Sequence, residues 1–148
     1  MKPALPIIVL FLSTMLHAQP RVGQEQRQVQ QTVINFFESL SKRDSVSLKS
    51  YCANDITLFE NGKIWNADTL IHNAITLNTA SDFKRSNTLD FISTTVNGNI
   101  AWATYNLHSV MTRNGTLTTV QWMETIIAIK EKNSWKIKVL HSTLIKRS

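Results

Sequence analysis

The chain has 148 residues, of which 43% are hydrophobic and 18% are charged, and its formal net charge is +6. This length suits one domain and is short for two, and the hydrophobic content is too high for a disordered chain. Many basic residues lie near the last predicted strand without interleaved aromatic residues, so we expect them to protect a sheet edge and expect no nucleic-acid binding.

The first residues have the pattern of a signal peptide. A lysine follows the initial methionine, an almost wholly apolar run extends to Leu16, and the small Ala18 precedes the expected cut. The run is too short for a stable membrane anchor, and no cysteine stands at the cut to carry a lipid. We therefore expect residues 1–18 to be a signal peptide, and residues 19–148 to form a single domain that is periplasmic or secreted.

Two helices are predicted at the start of this domain. A first helix has one apolar face, formed by Val29, Val33, Phe36, Phe37 and Leu40. Asp44 can cap a second helix, whose inner side would carry Leu48, Tyr51 and Cys52. Because Cys52 is the only cysteine, no internal disulfide is possible, and we expect this thiol to be buried in the core.

A small hairpin and a third helix follow. The hairpin is expected over residues 56–65, with its turn at Asn61-Gly62. Asp68 would open the third helix, whose buried side is formed by Leu70, Ile71, Ala74 and Ile75. Residues 79–86 are expected to form a loop.

Residues 88–145 predict a four-stranded meander of three hairpins. Their turns are expected at Asn97-Gly98, Asn114-Gly115 and Lys132-Asn133. If the first two turns hold two residues each, Val96 pairs with Asn99 and Arg113 with Thr116, and the remaining pairs follow by counting.

This register predicts a polar row across one face of the sheet, formed by Asp90, Tyr105, Glu124 and His141. The expected flanks are mostly apolar: Ile92, Ala103, Ile126 and Val139 on one side, and Leu107, Trp122, Thr88 and Thr143 on the other. Two interpretations remain open, because the row can be a hydrogen-bonded network that pins the sheet or a site for a ligand or for catalysis.

The order of helices, hairpin and meander resembles the cystatin-like cone of the nuclear transport factor 2-like superfamily. The resemblance rests on five stretches: Val33 to Leu40, Lys42 to Asp44, Tyr51 to Asp55, Thr57 to Phe59, and Trp135 to Ser142, the last of which is similar to the ending of exported SnoaL-like members. It implies an α+β fold in which three N-terminal helices pack on a curved, mainly antiparallel sheet.

The resemblance also allows a comparison with ketosteroid isomerases of this superfamily, which use a tyrosine, an aspartate base and an acid from the sheet. Phe36 stands at the tyrosine position, which removes a hydroxyl donor. Glu60 falls at the base position and can still abstract a proton. The sheet acid position is occupied by Val120, with Glu124 deeper in the cone. Steroid isomerisation is therefore not supported.

Three functions remain in competition. The leading hypothesis is a protein that binds a small, largely apolar molecule in the cone, with contacts from Asp90, Tyr105, Trp122, Phe36 and Phe59. The alternative is a small general acid/base enzyme, an isomerase, lyase or cyclase, that uses Glu124, His141 and Glu60. We expect no cofactor, and no metal because the histidines do not cluster.

The third hypothesis is an interaction module that dimerises through its sheet. Large apolar side chains are predicted on the convex face, namely Phe91, Trp102, Met123, Ile127 and Leu140. Helices can cover only one side of the meander, so a second copy of the chain is the natural cover for the other side.

Overall fold

The computed structural model describes residues 21–148, so the predicted signal peptide and its cut after Ala18 lie outside the described residues. The helices are α1 (Arg21–Lys42), α2 (Ser45–Ser50) and α3 (Ala67–Ile71), and α3 continues as a π-helical turn, His72–Thr76. The strands are β1 (Cys52–Glu60), β2 (Lys63–Trp65), β3 (Lys84–Asn97), β4 (Ile100–Arg113), β5 (Thr116–Glu131) and β6 (Ser134–Arg147).

The six strands form one sheet in the order β2-β1-β6-β5-β4-β3. β1 runs parallel to β6, and every other neighbouring pair is antiparallel. The helices pack on the concave face of this curved sheet. The predicted α+β cone with a mainly antiparallel sheet is therefore confirmed.

Helix α1 supplies the central part of the core, and its predicted apolar face is buried in full. The helix is tied to the sheet at its N-terminal end by Glu25, whose carboxylate accepts a hydrogen bond from Lys130 Nζ at 2.7 Å and from Trp135 Nε1 at 3.0 Å. The hydrogen bond from Lys130, with that from Trp135, lowers the pKa of Glu25. These contacts fix the N-terminal part of the helix against β5 and β6.

Three local expectations for the first half need correction. Cys52 is buried, but it begins β1 instead of ending α2, and burial raises the pKa of its thiol to about 12. α3 is capped by Asn66 and not by Asp68, because the Asn66 side chain accepts a hydrogen bond from Thr69 N. β3 already begins at Lys84, inside the segment that was expected to be a loop.

Two of the three predicted hairpin turns are confirmed. Asn114 and Gly115 have φ angles of 52° and 73°, and Lys132 and Asn133 have φ angles of 47° and 66°, as a two-residue type I′ turn requires. Arg113 pairs with Thr116, so Tyr105 faces Glu124 as predicted.

The first turn is displaced by one residue from the prediction. Asn97 pairs with Ile100, so the turn residues are Gly98 and Asn99, and only Gly98, at φ 59°, has a positive φ. Glycine at the first central position fits a type II′ turn. Together with an irregularity between Phe91 and Ser93, this places Phe91 opposite Tyr105.

The predicted row is consequently wrong at both of its ends. Asp90 pairs with Asn106 and is exposed on the convex face, because the irregularity between Phe91 and Ser93 adds one residue to β3 and reverses the side to which Asp90 points. In β6, Lys138 is the extra residue of a bulge, since Ala128 pairs with Ile137 but Ile127 pairs with Val139. Beyond this bulge His141 faces Thr125 on the convex face.

The register irregularities in β3 and β6 also change which apolar residues face the core. Phe91 packs against the core and Leu140 is buried, so the prediction that both lie on the convex face is wrong. The expected inner residues Ile92, Thr88 and Thr143 are exposed instead. The predicted exposure of the other three convex residues is confirmed, at Trp102, Met123 and Ile127.

Candidate functional site

A different polar row crosses the concave face. Glu60 in β1 pairs with Ser142 in β6, Ser142 pairs with Glu124 in β5, and Glu124 pairs with Tyr105 in β4. Two predicted residues, Tyr105 and Glu124, stay at the centre of the row. Ser142 occupies the place expected for His141, and Glu60 extends the row by one strand.

Glu124 is the most unusual ionisable group of the row. Its side chain is only 3% exposed, and the Ser142 hydroxyl donates a hydrogen bond to Oε1 at 3.0 Å. Oε2 makes no hydrogen bond to the described residues. Burial raises the pKa of Glu124 to about 7, against the lowering effect of the Tyr105 and Ser142 hydroxyls and of Arg85. The carboxyl group is therefore poised to gain or lose a proton near neutral pH.

Tyr105 lies behind this carboxyl group and is completely buried. Its ring contacts those of Phe37 and Phe91, with centroid distances of 6.2 and 5.3 Å. The hydroxyl is near Glu124 but outside ordinary hydrogen-bond geometry, and no other described atom pairs with it. Burial, together with the negative charge of Glu124, raises the pKa of Tyr105. Tyr105 thus stays neutral and supports the site from below.

Glu60 stands nearer to solvent, at the end of β1. It is half-buried, and its Oε1 accepts a hydrogen bond from Asn61 Nδ2 at 2.9 Å. Burial raises its pKa, whereas the Ser142 hydroxyl, Arg147 and Arg85 lower it. Glu60 and Glu124 are separated by two strand spacings, roughly 10 Å between their Cα atoms.

These two carboxyl groups line a cavity between the sheet and helices α1 and α3. Its volume is about 240 Å³. Most of the wall is apolar, with Phe36, Phe37, Leu40, Leu58, Trp65, Leu70, Ala74, Leu107, Trp122 and Leu140 as its apolar members. Ser142, Arg85 and Arg147 are among its polar members. An apolar cavity with a few convergent polar groups is the usual form of a small-molecule site.

Some of the residues predicted for the site line the cavity, and others do not. Phe36, Trp122, Glu60 and Glu124 line the cavity, and Tyr105 lies beneath it. Three proposed residues, Phe59, Asp90 and His141, lie on the convex face, where the Phe59 and His141 rings contact each other at 6.0 Å. Their predicted place in the cavity is therefore wrong.

Arg85 is a cavity residue that the sequence analysis missed. Its Nε donates to Asn87 Oδ1 at 2.8 Å, and its Nη2 donates to Ser109 Oγ at 3.1 Å. The guanidinium carbon is 5.9 Å from the ring centroids of both Phe37 and Trp122. Burial lowers the pKa of Arg85 to about 10, opposed by the charges of Glu124 and Glu60.

The sequence did contain a signal for this residue. Arg85, Asn87, Leu89 and Phe91 alternate along β3, so all four share the inner face once Phe91 is placed there. The extra residue at Ile92, between the pairs that Phe91 and Ser93 form with β4, concealed Arg85, and the bulge at Lys138 concealed Ser142 in the same way. Among residues 21–148, no cluster of three or more histidine, cysteine or acidic side chains could hold a metal ion. No helix in this part of the chain has the length and apolar character needed to cross a membrane.

The comparisons with known proteins agree with this architecture. The SnoaL-like domain family matches residues 29–145. The chain belongs to the SnoaL-like domain family. The matched segment of this SnoaL-like domain contains every residue of the polar row. A comparison with curated protein sequences gave no significant match.

Solved structures share the fold of this SnoaL-like domain at low sequence identity. A conserved protein from Planctomyces limnophilus is 12% identical, with a TM-score of 0.74 over 83% of this chain and 99% of that one. A nuclear transport factor 2-like superfamily protein from Salmonella enterica is 19% identical, with a TM-score of 0.72 over 84% and 93%. A ketosteroid isomerase-like protein from Erwinia carotovora atroseptica is 14% identical, with a TM-score of 0.65 over 83% and 98%.

Proposed function

We propose that this protein binds a small, largely apolar molecule in the cone, with Glu124 orienting it. The observation that carries the proposal is that Glu124, whose Oε2 has no hydrogen-bond partner among the described residues, lines the 240 Å³ cavity. A buried polar atom without a partner costs roughly 1–3 kcal/mol. A ligand hydroxyl, amide or carbonyl group would recover that cost, because a carboxyl group with a pKa near 7 can either accept or donate.

The apolar wall would supply most of the affinity. Phe36 and Trp122 stand on opposite sides of the cavity, one on helix α1 and the other on β5. Aromatic walls favour a flat or ring-containing ligand, because flat faces give close contact over a large area. Each buried CH₂ group of the ligand contributes about 0.8 kcal/mol, so affinity should rise with the size of the apolar body that enters the cavity.

A fragment screen by native mass spectrometry and thermal shift tests this proposal. Compounds that bind should lose affinity in Glu124→Gln and Trp122→Ala. The matched controls are Asp90→Asn and His141→Gln, which alter the convex face of β3 and β6 and should leave binding unchanged. The proposal fails if no compound binds, or if binding depends on Asp90 and His141 and not on Glu124.

A second candidate is a cofactor-free enzyme that moves protons between Glu124, Glu60 and a carbon or oxygen atom of its substrate. The specific observation is the pKa of about 7 at Glu124, which suits a general base or acid at neutral pH. One protein of similar fold is described as ketosteroid isomerase-like, which motivates isomerase, lyase and cyclase substrates in a screen. Phe36 still stands where a ketosteroid isomerase has its tyrosine, so a steroid is not the expected substrate.

Turnover by this second candidate should require both carboxyl groups. Glu124→Gln is expected to lower kcat by a factor of about 100 or more, and Glu60→Gln by less, because general acid/base groups contribute about 100-fold or more. Glu131→Gln, an exposed change at a hairpin tip, is the control. Activity that survives Glu124→Gln and Glu60→Gln alike would exclude both groups from the chemistry.

We also propose a homodimer built on the convex face. Three large apolar residues are exposed there, Trp102 at 41%, Met123 at 51% and Ile127 at 39%. Thr104, Asn106 and Thr125 on the same face would provide interface hydrogen bonds. A second copy of the sheet would cover these residues, whereas the helices of the same chain already occupy the concave side.

Export is proposed from the first residues alone. The charge, the apolar run and Ala18 support cleavage after residue 18. Mass analysis of the exported fraction should find a chain that begins at Gln19, and an intact Met1 in that fraction would contradict the proposal.

A further inference from the structure

We propose that the ligand of the cone is an organic anion, whose oxyanion group is held at the mouth by Arg85, Arg113 and Arg147 while its apolar body enters the cavity. This inference rests on the proposed binding function and names the chemical class of its ligand. It comes from the way a second recess joins the cavity.

The second recess has a volume of about 190 Å³ and shares five residues with the main cavity. The shared residues are Leu40, Asn73, Ala74, Arg85 and Arg147. Arg113 and Thr118 complete its outer side, at the ends of β4 and β5. The two spaces therefore form one path, from a basic mouth to the apolar wall at Trp122.

The charges along this path are not balanced. Its ionisable residues are the three arginines together with Glu60 and Glu124. Glu124 is largely protonated below its pKa of about 7, which leaves Glu60 against three guanidinium groups. An excess of positive charge in a partly enclosed space attracts an anion, because field lines are focused between walls of low dielectric constant.

The guanidinium groups also keep donors free for a ligand. Within residues 21–148, those of Arg113 and Arg147 form no hydrogen bond and no ion pair. Arg85 uses Nε and Nη2 for Asn87 and Ser109, and its Nη1 bonds to no described residue. Asn87 in turn donates to Ser41 Oγ at 2.7 Å, so Arg85 is held in place through helix α1.

This arrangement explains why an arginine is anchored by neutral partners inside an apolar cavity. A structural arginine would be expected to pair with a carboxylate, since burying an unpaired charge is costly. Here the anchors are an amide and a hydroxyl, which orient the group without neutralising it. A carboxylate or phosphate group would supply the missing charge and would match the planar donor fork.

Calorimetry with matched probes tests the inference. The probes are hydrocinnamate, naphthylacetate and octanoate, each with its primary amide and with a phosphate monoester of similar body, in a buffer without phosphate. At least one anion should bind about tenfold or more tighter than its amide, since hydrogen bonds to charged groups are the strong ones. The carboxylate and phosphate arms separate the two sources of the oxyanion.

Two variants and one control locate the effect. Arg147→Gln and Arg113→Gln should each weaken anion binding about tenfold and leave amide binding unchanged. Lys146→Gln removes the same charge from the neighbouring residue of β6, whose partner Gln121 lies on the convex face, and should have no effect. Both arginines are exposed at strand ends, so these variants should fold.

The outcomes separate this inference from the proposed function. Amides that bind as tightly as the anions, or anion affinity that is unchanged in both arginine variants, would overturn the inference and leave small-molecule binding intact. If no anion and no amide binds, the inference and the proposed function are both overturned.

Discussion

Ser142 donates its hydroxyl hydrogen bond to Glu124 across the buried β5–β6 pair, with 3.0 Å between Oγ and Oε1. The same serine is the strand partner of Glu60 on its other side. The Ser142 hydroxyl thus stands between two carboxyl groups, and it donates its hydrogen bond to Glu124. The proton affinity of Glu124 should therefore depend on the Ser142 hydroxyl.

Ser142→Ala should raise the pKa of Glu124 further above 7. The hydroxyl stabilises the charged carboxylate, so its removal favours the protonated form. Carbon-13 NMR of the glutamate carboxyl groups measures the midpoint directly. Ser93→Ala, an exposed change on β3, is the control and should leave the midpoint in place. An unchanged midpoint in Ser142→Ala would show that the hydroxyl does not act on Glu124.

Glu124→Gln should change how stability depends on pH. The folded pKa of about 7 lies above the 4.5 of a free glutamate, so the native state binds the proton more tightly. The free energy of unfolding of the wild type is therefore supported at low pH and falls as the pH rises from about 4.5 to about 7.

The glutamine variant lacks this titration and keeps an acceptor for Ser142. Relative to the wild type, it should gain up to about 3 kcal/mol between low pH and pH above about 7. Urea unfolding at several pH values measures the difference, in which the effects of other carboxyl groups cancel. Parallel stability curves for the two proteins would show that Glu124 has an ordinary pKa.

Tyr105→Phe should leave the free energy of unfolding unchanged or raise it by up to about 3 kcal/mol. The hydroxyl is fully buried and unpaired, so its removal relieves a desolvation cost of about 1–3 kcal/mol and leaves the ring contacts with Phe37 and Phe91 in place. Thermal unfolding and urea unfolding measure the change. A loss of more than about 2 kcal/mol would mean that the hydroxyl bonds Glu124 in solution.

The first hairpin turn can be checked with two neighbouring substitutions. Gly98→Ala should cost about 1–2 kcal/mol, because alanine is strained at a φ of 59°. Asn97→Thr should be tolerated, because residue 97 is the last residue of β3 and pairs with Ile100. A large loss from Asn97→Thr would instead indicate a turn at residues 97 and 98.

Ile127→Glu should convert a dimer into a monomer. A charge at the centre of the convex face cannot be buried against a second sheet without a large cost. Val46→Glu is the control, because Val46 is 80% exposed on helix α2, away from the sheet face. Analytical ultracentrifugation at micromolar concentration gives the answer. A wild-type monomer, or a dimer that persists in Ile127→Glu, would contradict the proposed interface.

Most of the fold could be predicted from the sequence, because helical periodicity and turn residues report local geometry. The face of α1 and the two type I′ turns follow from such local patterns, and the Tyr105 to Glu124 pair follows from one of those turns. The ends of the site could not be predicted, because the sheet face to which a side chain points is found by counting residues from a turn, and one extra residue makes the count wrong. Each of the extra residues Ile92 and Lys138 reverses the facing beyond it, and nothing in the letters around either residue marks a bulge.

Arg85 was missed although it alternates with Asn87, Leu89 and Phe91 along β3. A basic residue near the start of a strand is usually exposed, and only the tertiary contacts with Phe37, Asn87 and Trp122 draw it inward. Glu60 could be proposed through a family resemblance, yet its position beside Ser142 depends on a parallel pair between β1 and β6. Because β1 and β6 lie far apart in the sequence, no local sequence pattern marks their parallel pairing.

Chemical-shift mapping during a titration with an aromatic fragment tests the central claim most directly. The claim is that the concave cavity beside Glu124 is the binding site. We predict that the Glu124 carboxyl carbon and the Trp122 indole respond together, while Asp90 and His141 on the convex face stay unchanged. Shifts at Asp90 and His141 with none at Glu124 and Trp122 would contradict the claim.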